Sequence, residues 1–534
     1  MQNKVFLKHK IYFYQKDFRY GFIDIVSNLN QRKAGVVLSY FNLVIGFIVA
    51  LVFTPILLRL LGQSEYGLYN LVASVVAYLG VLNFGFGSAY VRYYSQLKVR
   101  EDYQGISKLN GMFLIIFSVL GVIALISGLI LTQFTDFIYK GKLTKQELDT
   151  AKTLMYILVV NLALSFPSIV FTSHIIANEK FVFQGATQVA KAIFNPFLVL
   201  PILLLGYGSI GYALVTSILN LLIETIYAIY CWRRLQMSFS FNNLDPILMK
   251  EMTIFSSYIF INTVVDQINW NVDKLLIGRY HGTIGVAIYG VASTLNTYYQ
   301  QISTAISNVF VPSVHKIVAS SDSNNNELTS LFTKIGRIQF IILWFISSGL
   351  ILFGKPFITK WAGENYVDSF NVALFLTLPV TIPLIQNIGI EIQRAKNKHR
   401  FRSILYILMA IVNIIISIPL TKFHGPSGAA MGTMISIIIG NGLIMNFYYH
   451  YKVGLNMKYF WKEILKFVPA LFIPTVFGII TNKFIVLEKT INLLLFIIIY
   501  AIVYVLNIWF LGLNTYEKDL INVPINKLKQ KIKK

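Results

Sequence analysis

Apolar residues in this chain come in runs of roughly 20, each long enough to cross about 30 Å of hydrocarbon as a helix, with short polar or basic stretches between them. The pattern predicts about fourteen transmembrane spans, centred near residues 47, 77, 121, 162, 194, 220, 265, 296, 344, 380, 411, 438, 473 and 501. A repeat runs through it. The pattern G-x-x-G-x-A-x-x-T-x-I occurs at Gly208, Gly211, Ala213, Thr216 and Ile218, and again 217 residues later at Gly425, Gly428, Ala430, Thr433 and Ile435. Arg59, Gly62, Tyr69 and Tyr78 return as Arg279, Gly282, Tyr289 and Tyr298 at an offset of 220. Two matches at nearly one period imply a duplicated bundle, and duplicated bundles in membranes are predominantly transporters. The expected fold is an all-α polytopic membrane protein with two six-helix repeats, forming two lobes around a central cavity, plus two appended helices. The expected boundaries are a tail over 1–33, lobes over 34–235 and 236–450, appended spans 13 and 14 over 451–512, and a second tail over 513–534.

Composition supports the membrane reading. Of 534 residues, 56% are hydrophobic and only 13% are charged, about half the charge of a soluble chain, and the mean hydropathy is +0.63. The net charge of +23 is not a nucleic-acid signature, because the cations occupy the tails and alternate loops. They are Lys4, Lys8, Lys10, Lys16, Arg19, Arg32 and Lys33, then Arg92, Lys98, Arg100 and Lys108, then Arg233, Arg234 and Lys250. The series continues with Arg394, Lys396, Lys398, Arg400 and Arg402 and ends in Lys527, Lys529, Lys531, Lys533 and Lys534. Where the other loops hold lysines (Lys140, Lys142, Lys145), acids accompany them. The positive-inside rule therefore places both termini in the cytoplasm, consistent with an even number of spans. The first apolar run, Val36 to Leu61, is too long for a cleavable signal peptide. Cys231 is the only cysteine, which leaves no intramolecular disulfide, and the seven scattered histidines have no metal spacing. Neither a cofactor nor a metal is expected. The longest external loop, around Thr135 to Thr150, is too short for a catalytic domain, so an enzyme is disfavoured.

Inside the predicted spans, polar residues line up at helical spacing and should face a cavity or another helix. Span 5 carries Gln184, Gln188, Lys191 and Asn195; span 7 carries Asn262, Asp266, Asn269 and Asp273, with Lys274 beside them. Span 8 carries Tyr289, Ser293, Asn296, Gln300, Ser303 and Ser307, and span 4 Asn161, Ser165, Ser168 and Thr172. Interhelical hydrogen bonding, about 0.6 kcal/mol per bond, accounts for the Ser and Thr positions. A charge near the bilayer centre costs about 2.5–3.5 kcal/mol, which favours a functional role for Lys191 and Asp266. Asp273 and Lys274 also suit a self-neutralising pair near the outer interface. Arg59 and Arg279 are expected at the outer mouth, where snorkelling is the alternative. Glu224 and Glu391 have no assignment.

Leu38-Ser39-Tyr40, Thr54-Pro55, Leu57-Leu58-Arg59-Leu60-Leu61-Gly62, Glu65-Tyr66-Gly67-Leu68-Tyr69, Phe84-Gly85-Phe86-Gly87 and Val91-Arg92-Tyr93 resemble the start of bacterial polysaccharide flippases. These belong to the multidrug/oligosaccharidyl-lipid/polysaccharide exporter superfamily. The resemblance implies two six-helix lobes working by alternating access on an O-antigen or capsule unit linked to polyprenyl pyrophosphate. Membrane lipid and other polysaccharide-assembly proteins would be partners, and nucleic acid would not. Members often show Leu-Asp-Phe/Leu-Gly where this chain has Leu82-Asn83-Phe84-Gly85, so ion coupling does not carry over to position 83. The chemistry suits such cargo: cations for the pyrophosphate, and Asn, Gln, Ser and Tyr for sugar hydroxyls. A multidrug exporter for organic cations is the main rival, kept open by Asp266 with Trp270. A peptidoglycan-precursor flippase is a close variant, and an enzyme of glycan polymerisation is the alternative of a different class.

Overall fold

The computed structural model describes residues 31–139, 141–242, 246–319, 325–484, 489–520 and 522–523. Most of the basic N-terminal tail, Lys140 and the lysines from Lys527 onwards lie outside the described residues, as do certain side chains, that of Asn262 among them. Among the described residues the elements are helices without strands. The principal ones are α1 (Gln31–Leu79), α2 (Phe86–Val99), α3 (Tyr103–Gln133), α4 (Lys145–Ala177), α5 (Phe181–Leu204), α6 (Gly208–Arg233) and α7 (Pro246–Ala319). They continue as α8 (Asn325–Trp361), α9 (Ser369–Ile385), α10 (Ile388–Ala395), α11 (Arg400–Ile437), α12 (Met457–Leu465), α13 (Val468–Phe484) and α14 (Thr490–Asn507). Two π-helical stretches, Ile438–Ile444 and Tyr449–Val453, follow α11.

All fourteen expected centres fall in helix. Yet eight helices among the described residues are long and apolar enough to cross a membrane, ten if two bent pairs count as one span each, so a count of fourteen crossings is not established. Part of the difference is continuity. Val37–Val99 and Arg400–Val453 run as near-continuous helical stretches of 63 and 54 residues, more than twice the roughly 20 that one crossing needs. Each is bent at a glycine. Gly62 (φ 72°, ψ 172°), Gly282 (φ 66°, ψ −162°) and Gly425 (φ 60°, ψ −140°) sit inside α1, α7 and α11 in backbone conformations essentially closed to other residues. Gly62 and Gly282 are the paired glycines of one repeat. Gly208, the counterpart of Gly425, also has positive φ, 52°. The duplication is thus written in backbone dihedrals as well as in letters.

Two compact units emerge, both discontinuous in sequence. The first comprises Met1–Leu60, Val76–Thr135 and Asp149–Thr263; the second comprises Leu61–Val75, Asp136–Leu148 and Val264–Lys534. These units do not follow the six-helix lobes at 61–75, 136–148 and 236–263. The first unit buries Tyr90, Phe113, Phe117 and Phe166 in one cluster. There the Tyr90 hydroxyl donates to Asn110 Oδ1 (2.6 Å) and makes a second bond with His174 Nδ1 (2.7 Å).

The second unit has two aromatic clusters, one around Phe332, Tyr449 and Phe460 and one around Phe467, Tyr500 and Tyr504. Arg337 of α8 is buried there with every guanidinium donor used. Nε and Nη2 donate to the two Glu517 oxygens at 2.6 and 2.9 Å. Nη1 donates to the Glu463 carbonyl (2.8 Å) and carboxylate (3.4 Å), and Nη2 also to the Gly512 carbonyl (3.0 Å). Glu517 meanwhile closes a capping box with Asn514, both bonds 2.9 Å. One arginine therefore fastens α12 and the segment after α14 to α8.

Candidate functional site

α7 places Asp266, Asn269 and Trp270 on one face, spaced by three and four residues, and that face lines a cavity of about 210 Å³ in the second unit. Gln300, from the same helix beyond the Gly282 elbow, lines it too. The opposite wall comes from α11 and the π-helical stretch that follows, through Arg402, Tyr406, Asn413, Thr433 and Asn441. Local π-winding is a recurrent device at functional sites. Arg402 lies over the Tyr406 ring, 4.5 Å from its centroid, and within electrostatic reach of Asp266. By sequence, Arg402 belongs to a cationic loop. The structure corrects that, because the residue belongs to the first turn of α11 and faces the cavity. The four-residue Arg402–Tyr406 spacing was the available signal.

Behind Thr433 lies a fully buried carboxylate, Asp273. Its Oδ2 accepts from the Tyr289 hydroxyl (2.6 Å) and from Thr433 Oγ1 (2.7 Å), while Oδ1 has no hydrogen-bond partner. Asn413 Oδ1 accepts from Ser417 Oγ at 2.8 Å and lies 3.4 Å from Thr433 Oγ1; Ser417 Oγ is also 3.4 Å from the Ala429 carbonyl. Carboxylate, hydroxyl, amide and carbonyl oxygens converge here, a set able to hold a proton or a small hard cation. Among the described residues no group of three or more His, Cys, Asp or Glu could hold a metal. Tyr289 and Thr433 are repeat residues, so both second-half motifs meet at Asp273. At the first-half offset Asp273 corresponds to Phe53; there Thr216, the counterpart of Thr433, bonds only the Tyr212 and Ala213 carbonyls of its own helix. The expected neutralising pair with Lys274 does not form. Adjacent helical residues point about 100° apart, and Asp273 spends its bonds on Tyr289 and Thr433 while Lys274 stays half-buried.

In the first unit, Gln184 and Gln188 line a groove of about 690 Å³ with Ser39, Asn42 and Glu179. Gln188 Nε2 donates to the Tyr227 hydroxyl at 3.2 Å. Lys191 and Asn195, further along α5, are half-buried, and Lys191 interacts electrostatically with Glu224 of α6. Glu224, unassigned from sequence, thus lies within electrostatic reach of Lys191. Of the polar stripes, Asn161 bonds the Ser217 carbonyl across helices (3.1 Å), but Ser165 and Ser168 donate to carbonyls of their own helix. Ser303 donates to the Leu384 carbonyl (2.9 Å) and Gln339 to Ser307 Oγ (2.6 Å), so that end of span 8 is interhelical glue. Asn296 is buried with its Oδ1 unpaired. Asn262 remains outside the described side chains.

Arg59 and Arg279 each lie three residues before an elbow glycine and are exposed. Sequence reasoning missed the group beside those elbows. Glu147 Oε1 accepts from Ser64 (2.5 Å) and Thr283 (2.8 Å), just past Gly62 and Gly282, while Oε2 caps α4 through the Thr144 amide (2.8 Å). Gly67 is needed there, since a Cβ would sit 1.9 Å from the Thr283 carbonyl oxygen. Asn83 is a turn residue: its Oδ1 accepts from the Gly85 amide (2.8 Å), across Phe84 at φ 50°.

Comparison with known proteins agrees with this architecture. Residues 33–318 match the family described as polysaccharide biosynthesis protein. A "Putative O-antigen transporter" of Shigella dysenteriae is 26% identical over 313 residues, 55% of this chain and 74% of that protein. The teichuronic acid biosynthesis protein TuaB of Bacillus subtilis is 22% identical over 151 residues, 28% of this chain and 30% of its own. Among solved structures, the lipid II flippase MurJ in an inward closed conformation superposes with TM-score 0.65 at 18% identity, covering 91% of this chain and 99% of that one. An inward-facing multidrug resistance MATE family transporter of the MOP superfamily superposes with TM-score 0.59 at 13% identity, over 78% and 94%. The family match spans more than half the chain and the fold is that of MurJ and the MATE transporters: the chain is a multi-pass membrane member of the polysaccharide biosynthesis protein family.

Proposed function

We propose that the protein is a flippase that moves a polyprenyl-pyrophosphate-linked oligosaccharide from the cytoplasmic to the outer leaflet by alternating access, in the inner membrane with both termini cytoplasmic. The observation that carries the reading is the polar interior of a duplicated membrane bundle in this family: a 690 Å³ amide- and hydroxyl-lined groove in the first unit and a smaller charged cavity in the second. Sugar hydroxyls need many weak donors and acceptors, which Gln184, Gln188, Asn195, Asn269 and Gln300 supply. The polyprenyl tail stays in lipid while the head group crosses, and no residue performs covalent chemistry. Lys191 and Lys274 are the cations proposed to meet the cargo's anion, with Arg59 and Arg279 at the outer mouth. Surface-glycan display from complemented deletion cells tests the reading. Lys191→Met should abolish display at normal membrane abundance, and Lys191→Arg should retain part of it. Full display with the Met variant would make Lys191 structural. Asp266 and Trp270 lining one cavity favour one second reading, export of a lipophilic cation. Deletion cells with intact surface glycan and raised drug sensitivity would establish that instead.

A further inference from the structure

The second unit contains two arginines in contrasting states. Arg337 spends all five of its N–H groups on carboxylates and carbonyls. Arg402 is half-buried on the Tyr406 ring, and beyond Tyr406 its guanidinium makes no hydrogen bond to a described residue. A saturated arginine is a fastening; one held against a cavity wall with donors to spare is a receptor for an anion. Its resident counter-charge, Asp266, is on the exposed side of α7 and can give way. The cavity is about 210 Å³, below the roughly 300–1,000 Å³ of pockets that enclose drug-sized ligands. It fits a phosphate-bearing head-group fragment, not an oligosaccharide.

We infer that Arg402 is a further second-unit cation that binds the diphosphate of a lipid-linked saccharide, with Asp266 as the carboxylate that the diphosphate displaces. The assignment rests on the flippase reading for the identity of its ligand. The Tyr406 ring holds the guanidinium plane so that its fork can meet two phosphate oxygens at once. Asn269, Gln300 and Asn441 line the same cavity and offer amide donors to the remaining oxygens. Thr433 and Asn413 form its far wall and also bond within the Asp273 cluster. Filling the cavity with an anion therefore acts on the groups that hold Asp273.

The test is titration of farnesyl diphosphate into the purified full-length protein in phosphatidylcholine nanodiscs. Arg402→Gln should weaken binding tenfold or more, Arg402→Lys should fall between, and Asp266→Asn should bind several-fold tighter because a competing anion is gone. Farnesol should not bind, and inorganic pyrophosphate should compete. Unchanged affinity in a monodisperse Arg402→Gln variant overturns the assignment, as does absence of binding by the wild type. Asp266→Asn weakening affinity as much as Arg402→Gln also overturns it, because the two would then be a structural pair. Competition by phosphatidylglycerol nanodiscs as strong as by pyrophosphate would make the ligand an ordinary lipid head group and overturn the cargo assignment. Failure of the flippase reading appears elsewhere, as normal surface glycan in cells lacking the gene.

Discussion

Arg337→Met separates the fastening role of a buried ion pair from any other. Methionine keeps an unbranched apolar body against the Phe467 ring, which Arg337 now covers at 4.3 Å, but deletes five hydrogen bonds. Glu517, 4% exposed, is left with only the Asn514 amide on Oε2, and Glu463 keeps only Lys466. A buried carboxylate without its partner costs about 3–5 kcal/mol. Replacing both partners should cost far less, since well-packed neutral substitutes for buried pairs are often tolerated. Arg337→Met/Glu517→Gln should therefore be more stable than the sum of the single changes by about 1–3 kcal/mol. Unfolding in mixed micelles by added SDS, followed by tryptophan fluorescence, measures each term. Limited proteolysis should show the region before α12 cut first, because α12 and the segment after α14 lose their shared bond to α8. A single variant within about 1 kcal/mol of wild type, or strictly additive losses, would refute the account.

Asp273→Asn keeps acceptors for Tyr289 and Thr433 and removes the buried charge, so export should fall below detection while stability holds or rises; export at wild-type level would exclude a coupling role. Gly282→Ala places a side chain at φ 66° and should destabilise by about 1–3 kcal/mol, whereas Gly46→Ala, with nothing within 4 Å of the added Cβ, should not; equal thermal melting of the two would contradict the elbow argument. Single cysteines at Lys142 and Lys398 should react with an impermeant thiol reagent from opposite sides, and labelling of position 398 in intact cells would invert the proposed topology.

The bundle was legible because its causes are local. Runs of about 20 apolar residues, paired glycines and loop lysines are all visible in one dimension, and four of the paired glycines, Gly62, Gly208, Gly282 and Gly425, have positive φ. Half of the span-7 stripe was legible in the same way: Asp266 and Asn269, three apart, share a cavity. Asp273, four residues further, points at Tyr289 and Thr433, residues 16 and 160 positions away, and no periodicity within one helix reveals such partners. Arg402 was hidden by its company, since a cation flanked by Lys398 and Arg400 reads as a loop charge until the helix start is known. Glu147 was hidden because capping explains one of its oxygens and the tertiary fold is needed to find the other's partners.

The contrast between Phe53 and Asp273 has a consequence for how such a carrier can change. Both halves retain the glycine elbow and the Tyr and Thr that could surround an acid, yet only the second half has the acid. The hinges and the buried acid are therefore separable inheritances. A descendant could lose the acid by one substitution at position 273, or gain a second at position 53, without redrawing the path along which its helices bend.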